Sequence, residues 1–247
     1  MKTATRLTIL FLLLALIPFS ACNSSAHENE ANNHNETEEP KLTYILPAPR
    51  TEGNMSVEEA LQNRRSHRHF QNKALTIEQL SQLLWAAYGI TVPKPDSPGL
   101  RGGLRTTPSA GALFPLEIYA IIGNVEGIEP GVYRYISEEH KIVRIIDRDV
   151  RRELTDASFG QRMVQEAPVS IFYSAVFSRT TSRYGERGIM YVHMEIGHSA
   201  QNVYLQAVAL GLGTCAIGAF VDDQVRQLLQ LPEDEVPLYI MPVGYIH

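Results

Sequence analysis

Residues 64–68 read Arg-Arg-Ser-His-Arg. Side chains alternate along an extended backbone, so Arg64, Ser66 and Arg68 would project to one side. Two guanidinium forks and a hydroxyl on one side suit a phosphate, each charge-assisted bond contributing roughly 1.5–3 kcal/mol. The same residues also suit a solvated basic patch at a helix C-terminus, which the macrodipole favours. The five residues alone leave both readings open.

Other chemistry-bearing patterns fail on spacing. Gly211-Leu-Gly213-Thr-Cys-Ala-Ile-Gly218 is glycine-rich. It lacks the dinucleotide-binding interval and follows a helical segment instead of a strand. No P-loop and no Gly-x-Ser-x-Gly elbow occurs. His193 and His198 bracket Glu195. Five positions apart they stand about 140° apart round a helix, so no metal site is expected. Cys215 lies in an apolar run with no base beside it, which predicts a buried, inert thiol.

The elements that position these residues are legible from caps and periodicity. Ser56-Val-Glu-Glu59 predicts a short helix ending near Arg65. Thr76-Ile-Glu-Gln79 opens a second, with Ile77, Leu80, Leu83, Leu84 and Ala87 on one face and Gly89 as its C′ residue. Residues 91–107 hold Pro, Gly and Arg without periodicity and read as a loop. A strand is expected over 117–122, a hairpin from 132–136 and 141–146 about a turn at 137–140, a helix over 149–157 and a central strand over 169–177. Met190–Leu210 is the longest helical candidate, apolar nearly all round and so expected to be buried on most faces, with Gly211 and Gly213 stopping it. A short apolar strand or turn (214–220), a helix capped by Asp222 through Leu229, and a last strand (239–245) follow. Helices and strands mix without a βαβ rhythm, which argues for an α+β class.

The chain has 247 residues, 44% of them hydrophobic, with a net charge of −5. That balance fits one large domain and carries no basic footprint for nucleic acid. Residues 1–21 read as a signal peptide: Lys2 and Arg6 precede an apolar run from Leu7 to Phe19, shorter than the roughly 20 residues of a membrane span. Ser20-Ala21-Cys22 resembles a bacterial lipobox, which implies lipid on Cys22; an ordinary signal peptide that leaves Cys22 as a free thiol is the other reading, and in a cell with an outer membrane Asn23 leans towards sorting there. Residues 22–42, rich in Glu and Asn, read as a flexible acidic tether. The globular domain is expected over 43–247. An exported, lipid-anchored location in a bacterial envelope follows as an expectation.

In this context residues 64–68 resemble the Arg-x-Ser-x-Arg/Lys start of the FMN-dependent nitroreductase family. Three further stretches follow in the family's order: Thr107-Pro-Ser-Ala-Gly-Ala-Leu-Phe-Pro-Leu-Glu-Ile-Tyr119, Gly197-His-Ser-Ala-Gln-Asn-Val-Tyr-Leu-Gln-Ala-Val-Ala-Leu-Gly-Leu-Gly213, and Ala216-Ile-Gly-Ala-Phe220. The Pro-Ser-Ala-Gly-x-x-x-Pro form, with Arg183-Tyr184-Gly-Glu-Arg187, is most similar to the SagB/ThcOx-type dehydrogenase branch. The resemblance implies an α+β sandwich, mainly antiparallel and flanked by helices, in an intertwined homodimer with two FMN molecules at the subunit interface.

It also implies roles. Arg64, Ser66 and Arg68 would grip the phosphate and ribityl chain, and Arg65 the flavin edge. Pro108, Ser109, Ala110 and Gly111 would approach the ring from the partner subunit. Gln161 would meet the pyrimidine edge, and Ile217, Gly218 and Ala219 would lie beside the ring near N5. Plain core packing is the other reading of Ile217–Ala219. The family's basic residue after the last strand has no counterpart here, so either Arg64 and Arg68 suffice or Arg101 or Arg105 serves. Azoline-oxidising members carry a Lys-Tyr pair that aligns with Arg183-Tyr184. Arg stays protonated, so azole formation is not expected, while Tyr184 is a candidate proton donor. The implied activity is two-electron transfer through flavin N5 on a small-molecule or peptide substrate. The alternative is a non-enzymatic flavin-binding or structural envelope lipoprotein.

Overall fold

The structure, a computed structural model, describes residues 41–94 and 96–247. The expected signal peptide, Cys22 and the tether as far as residue 40 lie outside the described residues. In chain order the elements are β1 (Thr43–Ile45), α1 (Val57–Asn63), α2 (Ile77–Tyr88), β2 (Ile90–Pro93), β3 (Gly103–Arg105), β4 (Leu116–Ile122), β5 (Gly131–Ile136) and β6 (Lys141–Ile146). Then come α3 (Arg151–Ala157), α4 (Met163–Glu166), β7 (Val169–Val176), α5 (Ser178–Tyr184), α6 (Arg187–Ala209), β8 (Leu212–Thr214), α7 (Asp222–Leu228) and β9 (Glu235–Tyr245).

One seven-stranded sheet runs β1-β6-β5-β4-β7-β9-β8, every pairing antiparallel. Its inner strands are buried on both faces, and their side chains alternate between two cores. Ile118, Ala120 and Ile122 of β4 join Leu80, Leu83 and Leu84 of α2 and Val192, Ile196 and Val203 of α6. Tyr119 and Ile121 join Leu154 of α3 and Val225 of α7 on the opposite face. Each fully buried leucine of α2 contributes about 2 kcal/mol. The result is the helix-flanked antiparallel sandwich of an α+β fold.

Local signals set several boundaries. Thr76 and Gln79 form the full reciprocal capping box at the head of α2. At α1 only half of the motif forms: Glu59 N–H donates to Ser56 Oγ at 3.1 Å. The helix ends at Asn63, just short of the expected Arg65. Gly211 takes φ +70° directly after α6, the left-handed turn that glycine tolerates.

Elsewhere the structure departs from the expectations. Gly89 is extended (φ −70°, ψ 156°) and not a left-handed C′; it is glycine because a Cβ would stand 2.2 Å from the Trp85 ring. The expected loop 91–107 contains the β2–β3 ribbon. Its pairing hides in the sequence because Gly103 sits where a Cβ would strike Val92 O, and proline and glycine mask the alternation. Asp222 begins α7 but gives no side-chain cap, and the helix ends at Leu228. β9 starts at Glu235, earlier than expected, because a register shift opposite Tyr173/Ser174 accommodates the break around Pro237.

Helix α6 is buried on one face only, through Gly188, Val192, Glu195, Ile196, Ser199, Ala200, Val203 and Ala207. Ile189, Met190 and Met194 are exposed, so burial on most faces does not hold within one chain. Among the described residues no helix is long and apolar enough to cross a membrane.

Candidate functional site

Arg64 caps the C-terminus of α1 and turns the chain out of the helix (φ −58°, ψ 122°). Ser66 then forms a parallel bridge with Thr214, and His67 N–H donates to Thr214 O at 3.0 Å. Gly213 permits this approach, since a Cβ there would stand 2.8 Å from His67. The alternation read from sequence operates here. Ser66 Oγ lies 3.1 Å from Tyr204 Oη, and the Arg64 guanidinium lies 5.3 Å from the centre of the same ring. Tyr204 Oη also accepts from Ala216 N–H at 2.8 Å, which fixes its place.

Arg65 turns back, donating to Gln62 O at 3.0 Å and Arg64 O at 2.8 Å, the carbonyls at the end of α1. Arg68 is exposed. Burial pushes the Cys215 thiol up, against the opposing pull of the Arg68 charge, so Cys215 is the buried, inert thiol expected. Among the described residues, Arg64, Arg65 and Arg68 have no carboxylate partner. Thr214 Oγ1, one bridge away, is buried with no hydrogen-bond partner. Unpaired guanidiniums, a hydroxyl and an orphaned buried hydroxyl make a donor set that fits an anion.

The same segment continues to the ring-contacting residues of the family resemblance. Ile217 N–H donates to Ile240 O and Ile240 N–H to Ile217 O, both at 2.9 Å, and its side chain is buried in the core. Gly218 and Ala219 are exposed, and their N–H groups have no acceptor among the described residues. Gln161 Nε2 donates to Ala219 O at 2.9 Å and to Ser158 O at 3.0 Å. The three arm residues, Arg64, Ser66 and Arg68, and Gln161 thus flank the single run 214–219.

A second group gathers around residues 108–111. Ser109 Oγ accepts from Phe114 N–H at 2.9 Å. Gly111 is left-handed (φ +62°), and a Cβ on it would stand 2.7 Å from Tyr184 Oη and 3.0 Å from Arg183 Nη1. The structure therefore brings Tyr184 onto the Pro108–Gly111 loop. A cavity of about 280 Å³ opens beside the loop, lined by Pro108, Ser109, Ala110, Tyr191, Met194, Glu195 and His198.

Glu195, only 2% exposed, accepts from Tyr88 O–H at 2.5 Å. Burial pushes its carboxyl up to about 7, against the opposing pull of the Ser109 and Tyr88 hydroxyls and of Arg105 and Arg101. Sequence reasoning had weighed Glu195 only as a metal ligand. Its place in the buried series 188, 192, 195, 199 was the available signal that it faces the core. His193 and His198 beside it are exposed, and His193 Nδ1–H donates to Ile189 O at 3.0 Å.

Arg101 and Arg105 do not join the arms. Arg101 pairs with Glu117 at 2.9 Å and donates to Phe114 O at 2.6 Å, and Arg105 pairs with Glu138 at 3.0 Å. Both charges are committed, so neither completes an anion site at residues 64–68. The two groups of candidate residues hang on the two ends of α6. Glu195 and Tyr204 are nine positions apart, about 14 Å along the axis and about half a turn round it, so within one chain they face away from each other.

The nitroreductase family profile matches residues 61–245. The chain is 47% identical over 190 residues to a protein of Methanocaldococcus jannaschii named as a nitroreductase, covering 77% of this chain and 91% of that one. A crystal structure from Ralstonia eutropha, also named as a nitroreductase, superposes with a TM-score of 0.70 at 29% identity, covering 83% of this chain and 90% of that one. Another from Anabaena variabilis gives a TM-score of 0.70 at 30% identity, over 84% of this chain and 42% of that one.

Proposed function

This chain belongs to the nitroreductase family and is an FMN-dependent oxidoreductase, and on that premise we propose that Arg64, Ser66 and Arg68 hold the FMN phosphate and ribityl chain. The observation that carries this reading is the unpaired cationic face beside the orphaned Thr214 hydroxyl. Arg64 stacks over Tyr204 and Ser66 bonds it, so both are pre-positioned for an anion. Gln161 orients the 217–219 turn through Ala219 O, and its amide oxygen together with the unpaired N–H groups of Gly218 and Ala219 would be the polar groups available to the flavin ring. When bound, FMN supplies two-electron transfer through N5.

In this reading the Pro108–Gly111 loop covers the ring from the partner subunit of a homodimer, because its own arms lie on the far side of α6. Tyr184 packs against that loop at Gly111, where its hydroxyl would be placed as a proton donor. The SagB/ThcOx-type branch rests on the Pro-Ser-Ala-Gly-x-x-x-Pro form and the Arg183-Tyr184 pair. Its substrate is a small molecule or a peptide side group. The tether through Cys22 is part of the proposal: Cys22→Ser should move the protein from the membrane fraction to the soluble one.

The visible spectrum of the purified protein tests the cofactor reading. Flavin bands near one per chain are expected. Arg64→Ala with Arg68→Ala removes at least two charge-assisted bonds, so FMN affinity should fall about 10²–10⁴-fold while the fold persists. Unchanged flavin content in that variant would overturn the assignment.

A further inference from the structure

We propose that Glu195 is a proton-exchanging catalytic residue, acting on an acceptor held in the cavity beside Pro108–Ala110. The inference rests on the functional reading above and adds a residue to it. The cavity, about 280 Å³, has room for one or two fused rings. Pro108, Tyr191 and Met194 give it apolar walls, and the Glu195 carboxyl is its buried polar group.

A carboxylate placed for structure alone is normally tied by a cation or by backbone N–H groups. Among the described residues Glu195 has no such cation. Arg101 and Arg105, from the segment carrying β3, feel its charge but pair with Glu117 and Glu138. Tyr88 of α2 donates to it, the Ser109 hydroxyl faces it from the loop, and Tyr191 and His198 share its cavity from α6. Tyr88 Oη is in turn the acceptor for Leu116 N–H at 3.4 Å, so the donor stays oriented. The carboxyl is thus held in position yet uncommitted, and both its forms are populated near neutral pH, as general acid–base work requires.

The step balances simply. The Glu195 O–H bond breaks and its proton forms an O–H bond on the acceptor oxygen. Reduced flavin, when bound, would supply the electron pair and second hydrogen as a hydride equivalent. The carboxylate left behind keeps its hydrogen bond from Tyr88 and regains a proton from water.

The test uses the flavin-loaded protein, reduced anaerobically and mixed with 2-methyl-1,4-naphthoquinone across the pH range. The wild-type rate should fall about tenfold per pH unit above the carboxyl's titration. Glu195→Gln should be slower by about 10²-fold or more at acid pH, without that inflection and with unchanged flavin content. Glu195→Asp should restore part of the rate with a displaced inflection. In the absence of quinone, an infrared carboxylic-acid band should titrate near neutrality in wild type and vanish in Glu195→Gln. Retention of the inflection and rate in Glu195→Gln, or absence of the band, overturns the proposal. A wild-type protein that takes up no flavin overturns the functional reading instead, and the infrared titration still reports on Glu195.

Discussion

A carboxyl buried without a cation makes the fold itself sensitive to pH. Glu195 titrates near 7 when folded and near 4.5 when unfolded, so the folded chain binds the extra proton between those values. Its contribution to stability is complete below about pH 4.5 and is lost as pH rises through about 7. Glu195→Gln removes that slope. Denaturant titrations should find the variant more stable than wild type at pH 8 by up to about 3 kcal/mol, and closer to it at pH 5. Gly111→Ala acts on geometry instead. The left-handed backbone costs about 1–2 kcal/mol for any other residue, and the added methyl strikes Tyr184 Oη, so melting should come earlier and the Tyr184 environment should change in fluorescence. At this scale the sequence was half legible. Arg64, Ser66 and Arg68 could be read because alternation is local. Tyr204, Tyr88 and Glu195 could not, since their partners lie about a hundred positions or more away and only folding brings them together.

Between elements, the tightest electrostatic junction is Glu117. The carboxylate of this β4 residue meets Arg101 at 2.9 Å, Arg134 of β5 at 2.8 Å and Arg179 of α5 at 2.6 Å. Burial alone would raise its carboxyl, but the three guanidiniums hold it below the usual carboxylate range. Its stabilisation is therefore present at neutral pH and lost as pH falls through the folded value, opposite in sign to Glu195. Glu117→Ala removes the nearest carboxylate from three partly solvated cations, of which Arg134 alone keeps another, Glu235 at 3.7 Å. A loss of about 3 kcal/mol is expected by chemical denaturation at pH 7, shrinking towards acid pH. The elements themselves were mostly legible where a local signal ends them, as the Thr76 capping box and Gly211 do for α2 and α6. The β2–β3 ribbon was not, because its register is set by backbone contact at a glycine and leaves no side-chain pattern to read.

For the whole molecule, the question left by the fold is what covers α6. Ile189, Met190 and Met194 stand exposed, and so do Val57 and Leu61 of the neighbouring α1. The proposed homodimer would take this surface out of water. Ile189→Glu with Met190→Glu should shift the mass by light scattering from two chains to one and lower flavin content with it; a variant that stays dimeric would place the interface elsewhere. Sequence alone suggested a helix apolar all round and could not say that one chain buries a single face of it and leaves Ile189, Met190 and Met194 exposed. The half-turn offset between Glu195 and Tyr204 carries this further, into genetics. If every cleft borrows its arms from one chain and its loop from the other, two disabled alleles can rescue each other. Co-expressing the Arg64→Ala, Arg68→Ala protein with Glu195→Gln should yield mixed pairs in which one cleft carries every lesion and the other carries none.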